Sequence, residues 1–286
     1  MPNLKDIRRR IKSVKNTQQI TKAMKLVAAS KLRKAQAAIL AARPYAVKMM
    51  ETLSHLSARC NYDMHPLLDN REGDKRLFLV ITADKGLCGG FNGNIIRRTA
   101  QEIGKDKENN ALILAGKKGH DFFKTQDCNI KKDFIGWTKN FNYDLAAKIG
   151  DELAEEFTNK TADQVFIVYN EFKSVMQQDV VVERLLPIVP EELGEENGEA
   201  VDYIYEPEEE EMFDALLRRY MREQVYRAFL ETAAGEHGAR MTAMDSASRN
   251  AGEMIGALTL TYNQARQAYI TKELIEIVNG AEALKA

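Results

Sequence analysis

The chain has 286 residues, 41 Lys/Arg against 42 Asp/Glu, a net charge of −1 and three cysteines, long enough for two domains with cores of their own. Cys60, Cys88 and Cys128 form no CxxC pair, which argues against a disulfide framework and a thiolate zinc site and fits a reducing compartment. No apolar run approaches the roughly 18 residues that a membrane-spanning helix needs, and the neutral total conceals a strong asymmetry. Residues 1–59 hold 14 Lys/Arg against 2 Asp/Glu, residues 60–207 hold 18 against 27, and residues 208–286 hold 9 against 13. A basic arm therefore precedes an acidic body.

From Ile7 a three- and four-residue step runs through Ile11 and Val14, breaks at Gln18, Thr21 and Lys25, and resumes with Ala28, Leu32, Ala35, Ile39, Ala42, Ala46, Met49, Leu53 and Leu56. Side chains so spaced form one seam along a helix. Pro44 is its only internal proline, and a kink or loosened turn is expected there. The Arg-rich start, Arg8-Arg9-Arg10, superficially resembles a mitochondrial transit peptide. Its seam, however, continues in phase well past any cleavage point.

After a turn-rich connection the period changes. Leu77-Phe78-Leu79-Val80-Ile81 reads as a strand buried on both faces. A helix at 94–103, a strand at 111–115, a helix near 119–125, a weak strand at 130–135, a helix at 142–157 and strands at 165–169 and 180–186 follow. This alternation predicts a doubly wound, mostly parallel sheet. Between Glu191 and Glu211 lie eleven acidic residues and no basic one, the composition of a solvated linker or of an acidic docking face.

Residues 208–286 contain no proline and read as one helix that could reach on the order of 100 Å. Its expected seam is Met244, Ala247, Ala251, Met254, Leu258, Thr261, Ala265, Ala268, Lys272 and Ile275. A helix that long needs a partner, and the N-terminal helix supplies one. The expected fold is an antiparallel coiled coil of the two ends with an α/β (Rossmann-like) domain between them. Its divisions are a helix at 1–59, a linker at 60–75, the α/β domain at 76–190, the acidic linker at 191–208 and a second helix at 209–286.

No catalytic, cofactor-binding or metal constellation emerges from the residues. The loop Asp84-Lys85-Gly86-Leu87-Cys88-Gly89-Gly90-Phe91 stands where a nucleotide-binding protein places its phosphate loop. Neither GxGxxG nor GxxxxGK[ST] can be laid on it, so a tight turn is the preferred reading. Cys88 could be a thiolate at a helix start, but no histidine lies nearby and a buried structural thiol fits better. His55, His65, His120 and His237 make no HxxxH or HExxH pair. The basic arm could meet nucleic-acid phosphates, yet residues 1–59 offer one aromatic, Tyr45, where a stacking platform would need several.

Three separated segments resemble the gamma subunit of the F-type ATP synthase. They are Ile7–Met24 running into Val27–Lys31, the loop Gly86–Gly90 with Tyr203-Ile204-Tyr205-Glu206-Pro207, and Ala239–Met244 followed by Tyr262–Ala268 and Ile270–Leu274. The likeness covers essentially the whole chain. It implies a non-catalytic rotor shaft inside a ring of alpha and beta subunits that carries the nucleotide sites, with the insert near epsilon and the membrane ring of c subunits. Met24 and Arg240 match positions near a mobile loop of a catalytic beta subunit. Arg266, Gln267, Thr271 and Glu273 match the upper contact with beta and alpha, and Tyr203, Tyr205 and Glu206 match the epsilon and c-ring region. The resemblance further implies ion transport coupled to ATP synthesis or hydrolysis, and peripheral attachment to the cytoplasmic face of a bacterial inner membrane. The cysteine-bearing insertion of photosynthetic versions is missing, so thiol switching is not expected. A nucleotide-dependent enzyme in the insert and a nucleic-acid-binding coiled coil stand as the alternatives.

Overall fold

The structure is a computed structural model, and it describes residues 4–57, 65–71, 73–104, 106–189 and 209–283. By contacts the chain divides into two compact units, residues 1–27 with 241–286, and residues 28–240. Helix α1 (Leu4–Ser57) and helix α6 (Glu209–Ala283) contribute to both.

In the first unit, residues 4–27 of α1 pack antiparallel to residues 241–265 of α6. Arg8 lies over the Tyr262 ring at 5.9 Å while Lys25 pairs with Asp245 at 2.5 Å, so numbers rise on one helix as they fall on the other. On α1 the expected seam is the inward face: Ile7, Ile11, Val14, Gln18, Thr21 and Lys25 are all buried or half-buried. On α6 the expected seam is half right. Met244, Ala251, Leu258 and Ala265 point inward, but the intervening inward positions are Ser248, Ile255 and Tyr262, while Met254 and Thr261 are exposed. Ala247/Ser248, Met254/Ile255 and Thr261/Tyr262 are neighbours of similar size or hydropathy, so three-then-four and four-then-three stepping read alike in sequence. Ala268, Lys272 and Ile275 are exposed as well.

The second unit is a three-layer α/β structure. Strands β1 (Arg76–Ile81), β2 (Asn110–Ala115), β3 (Asn129–Phe134), β4 (Gln164–Phe172) and β5 (Gln178–Leu186) form one sheet in the order β3-β2-β1-β4-β5. Helices α2 (Phe91–Ile103), α3 (Lys117–Phe123), α4 (Trp137–Asn140) and α5 (Tyr143–Thr158) connect them. The pairs β1·β2, β1·β4 and β2·β3 are parallel, and β4·β5 is antiparallel. Strict strand–helix alternation thus fails at the end of the insert. Only Lys173–Gln177 separate β4 from β5, too short for the dozen or so residues of a parallel crossover.

Because successive side chains of a strand face opposite ways, β1 feeds two cores. Leu77, Leu79 and Ile81 join one with α5, the end of α1 and the α6 residues Phe213, Leu217, Met221, Val225 and Phe229. Phe78 and Val80 join the other with Phe91 and Ile95 of α2 and Phe123 of α3. Each such side chain, fully buried, contributes about 1.5–3 kcal/mol. Asn142 caps α5, its side-chain oxygen accepting from the Leu145 amide at 3.0 Å. Helix α1 runs unbroken through Pro44, which forfeits one intrahelical bond there without ending the helix.

Candidate partner surfaces and the polar interlock

The gap in the apolar seam of α1 is where polar groups knit the first unit together. Thr21 and Ser248 are both buried, with their hydroxyl oxygens 2.7 Å apart. Gln18 Nε2 donates to the Ser248 carbonyl at 3.1 Å, and Gly252 leaves room for it, since a Cβ there would stand 3.1 Å from that nitrogen. Lys25 Nζ donates to Asp245 Oδ1 at 2.5 Å, and that bond, ahead of the opposing effect of burial, holds the Asp245 carboxyl below its ordinary value. Both partners of this pair are well exposed, so it contributes little to stability. An open groove of about 630 Å³ borders the interlock, lined by Lys22, Lys25, Leu26, Asp245, Arg249 and Glu253 among others. Along the same helix Arg8, Arg9, Arg10, Lys12, Lys15 and Lys22 are exposed, as are the apolar Ile20, Leu26 and Val27.

Arg266, Gln267, Thr271 and Glu273 lie together on the exposed last third of α6. Thr271 Oγ1 donates back to the Gln267 carbonyl at 2.9 Å. Tyr269, Ile270, Leu274, Ile275, Ile277 and Val278 are exposed on the same stretch. Met24 is half-buried on α1. Arg240 is not free: its side chain is 11% exposed and sits 2.6 Å from Glu236 Oε1. Tyr203, Tyr205 and Glu206 lie outside the described residues.

The first residue of the would-be phosphate loop is bonded to other parts of the insert. Asp84, just past β1, accepts the Gly136 amide at 2.8 Å, the Lys117 amide at 3.1 Å, the Thr138 amide at 3.2 Å and the Thr138 hydroxyl at 2.7 Å. Burial alone would raise its pKa, but these bonds outweigh burial and hold the carboxyl below its ordinary value. The amides at the starts of α3 and α4 thus serve the Asp84 carboxylate, which sets a negative charge at the edge of the loop. Gly116 closes this region: its φ is +99° and a Cβ would fall 2.0 Å from the Thr82 carbonyl oxygen, so only glycine fits. In the loop itself the left-handed positions are Leu87 and Gly89. Cys88 is 1% exposed, and burial pushes its thiol pKa up, the setting of an inert structural thiol. Among the described residues no group of His, Cys, Asp and Glu is arranged to hold a metal ion.

Sequence reasoning missed three participants. Ser248 and Asp245 were hidden by the one-residue ambiguity of the α6 seam; the matching break at Gln18, Thr21 and Lys25 was the available signal. Glu236 sits inside an unbroken helix, and nothing local announces its burial.

Two terminal helices paired antiparallel, with a mostly parallel α/β sheet in the sequence between them, define the class: a coiled-coil protein with an inserted doubly wound domain. The sequence model of the ATP synthase family matches residues 3–284. ATP synthase gamma chains of Geotalea daltonii and of an Anaeromyxobacter species are 49% and 51% identical, each over the full length of both chains. The chain therefore belongs to the ATP synthase gamma chain family. Among solved structures, a chain from the central stalk and c-ring structure of Tetrahymena thermophila mitochondrial ATP synthase is 28% identical and has a TM-score of 0.63; the match covers 80% of this chain and 99% of that one. A chain of the Euglena gracilis mitochondrial enzyme shares the fold at 22% identity and a TM-score of 0.70, covering 98% and 94%. Among the described residues no helix is long and apolar enough to cross a membrane.

Proposed function

We propose that the chain is the central rotary shaft of an F-type ATP synthase, a non-catalytic subunit that couples ion flow through a c-subunit ring to ATP synthesis or hydrolysis on beta subunits. The observation that carries this reading is the helix pair of the first unit, with side chains interlocked at Thr21 and Ser248 and a long exposed continuation on α6. A single asymmetric shaft inside a threefold ring presents a different face to each of three identical sites. Its orientation biases each site toward a different affinity, and nucleotide binding acts back on the shaft with the same free energy. Torque is that reciprocity in mechanical form, and paired helices transmit it better than a lone helix.

In this reading Met24 and Arg240 face a mobile loop of beta, while Arg266, Gln267, Thr271 and Glu273 meet the upper collar of alpha and beta. Tyr203, Tyr205 and Glu206 lie toward epsilon and the c-ring. Helices 1–59 and 209–286, the linkers 60–75 and 191–208, and the α/β domain 76–190 are the functional divisions. The complex holds the chain peripherally at the cytoplasmic face of a bacterial inner membrane and regulates ATPase activity and ion flow. The exposed basic residues of α1 suit acidic ring surfaces, and the Asp84 carboxylate weighs against a nucleotide site in the insert.

Reconstitution tests it: alpha and beta subunits mixed with the full chain are expected to form a complex hydrolysing ATP, with no hydrolysis by the chain alone. Saturable nucleotide binding by the isolated chain, or salt-dependent retention on DNA or RNA without complex formation, would favour the competing readings.

A further inference from the structure

Residues 235–240 of α6 are seated on the insert. A Cβ at Gly235 would meet the Phe91 ring at 3.1 Å, and Ala239 packs against the core that encloses Cys88. At the end of this segment the Arg240 guanidinium makes three contacts. Nη1 is 2.6 Å from Glu236 Oε1, Nη2 donates to the Gly86 carbonyl at 3.2 Å, and Nη1 lies 3.3 Å from His237 Nδ1. Glu236 is itself 4% exposed. Burial, then the charges of Arg240 and Lys31, push the His237 pKa down to about 4, so its ring is neutral and Nδ1 accepts from the arginine.

Arg240 grips the loop at the Gly86 carbonyl. The next residue, Leu87, has φ +63° and is 65% exposed, and Cys88 follows at 1% exposed. Within the loop Asn92 holds Ala83 N and the Lys85 carbonyl, and Cys88 Sγ is 3.8 Å from that same carbonyl. The loop is thus tied to α2 at one side and to α6 at the other. The three acceptors of Arg240 suit the planar, multi-donor guanidinium and not a lysine ammonium.

We infer that Arg240, set by Glu236, is a latch within the chain that keeps the Lys85–Gly90 loop closed, with Leu87 turned outward and the Cys88 thiol shut in. This goes beyond the shaft reading, since every group concerned belongs to one chain. Arg240 is a positioning residue here: any partner that takes its guanidinium also releases the loop.

The test is the rate at which a maleimide labels Cys88 in the full chain, resolved from Cys60 and Cys128 by peptide mass spectrometry, at several sub-denaturing urea concentrations. Arg240→Ala is expected to speed labelling about tenfold or more, the loss of a charge-assisted hydrogen bond. Arg240→Lys and Glu236→Gln are expected to fall between it and the parent. The acceleration should be nearly independent of urea, the sign of a local opening. Labelling within twofold of the parent in Arg240→Ala overturns the latch. So does an acceleration that rises with urea as steeply as global unfolding, because the arginine would then be an ordinary stability element.

Discussion

Thr21 and Ser248, 227 positions apart, place their hydroxyl oxygens 2.7 Å from each other inside the helix pair. Thr21 Oγ1 also lies 3.0 Å from the Gln18 carbonyl and Ser248 Oγ 2.8 Å from the Met244 carbonyl. Two hydroxyls carry two protons, so one must turn from its own helix to bridge the pair. Either Thr21→Val or Ser248→Ala alone is expected to cost about 0.5–1.5 kcal/mol, the net worth of one hydrogen bond, since the remaining hydroxyl still donates to its own helix carbonyl. The double variant should cost less than the sum, with a coupling of at least about 0.5 kcal/mol. Urea unfolding of the four proteins measures it, and strict additivity would mean that the two hydroxyls act separately.

Asp84 ties the end of β1 to the starts of α3 and α4, and Asp84→Asn replaces an acceptor-only carboxylate with a group that also donates. The expected loss is about 3 kcal/mol, the magnitude of one strong charge-assisted bond. The native carboxyl has a lowered pKa. Its contribution is therefore complete above the unfolded value of 3.8 and lost as pH falls through the folded value. Acid unfolding curves should show the asparagine variant losing less stability than the parent at the acid end.

His237 is also shifted down, by burial and then by Arg240 and Lys31, to about 4 against 6.5 for a free histidine. The unfolded chain takes up a proton first, so its contribution is present above pH 6.5 and is lost progressively as pH falls toward 4. The full loss is on the order of 3 kcal/mol. Arg240 and Lys31 oppose its protonation, whereas Glu236, whose own pKa burial raises, gains a proton toward the acid end. His237→Gln should flatten stability between pH 6.5 and 5, as followed by urea midpoints at each pH.

If the exposed end of α6 meets the ring, Arg266→Ala together with Gln267→Ala should lower torque and turnover of the reconstituted complex several-fold, as loss of charge-assisted and amide bonds would. Assembly should also weaken as salt rises, because the basic residues of α1 are exposed and screened. Titrating complex formation against ionic strength checks the second point, and rotation measurements check the first.

The α1 seam from Ile7 to Leu53 was legible because its inward positions are apolar or, at Gln18, Thr21 and Lys25, abruptly polar. On α6 the same reading slipped by one at Ser248, Ile255 and Tyr262, since hydropathy does not separate them from their neighbours. The central strands of the insert were visible as apolar runs such as Leu77–Ile81 and the charged β3 only weakly, while the direction of β5 depends on the brevity of Lys173–Gln177, a matter of loop length and not of periodicity. Asp84 was visible only as the first residue of a glycine-rich loop, for its partners Lys117, Gly136 and Thr138 come from more than thirty positions downstream. Arg240 was read by likeness as a partner contact, and burial beside Glu236 is a property of the tertiary structure alone.

Beyond Ala265, every α6 residue with an assigned exposure, through Ile277 and Val278, faces solvent. A copy synthesised without companions would offer that greasy stripe to proteases and to other copies of itself. Cells making this chain would thus benefit from balanced production of the assembly's subunits, with any surplus destined for degradation or clumping.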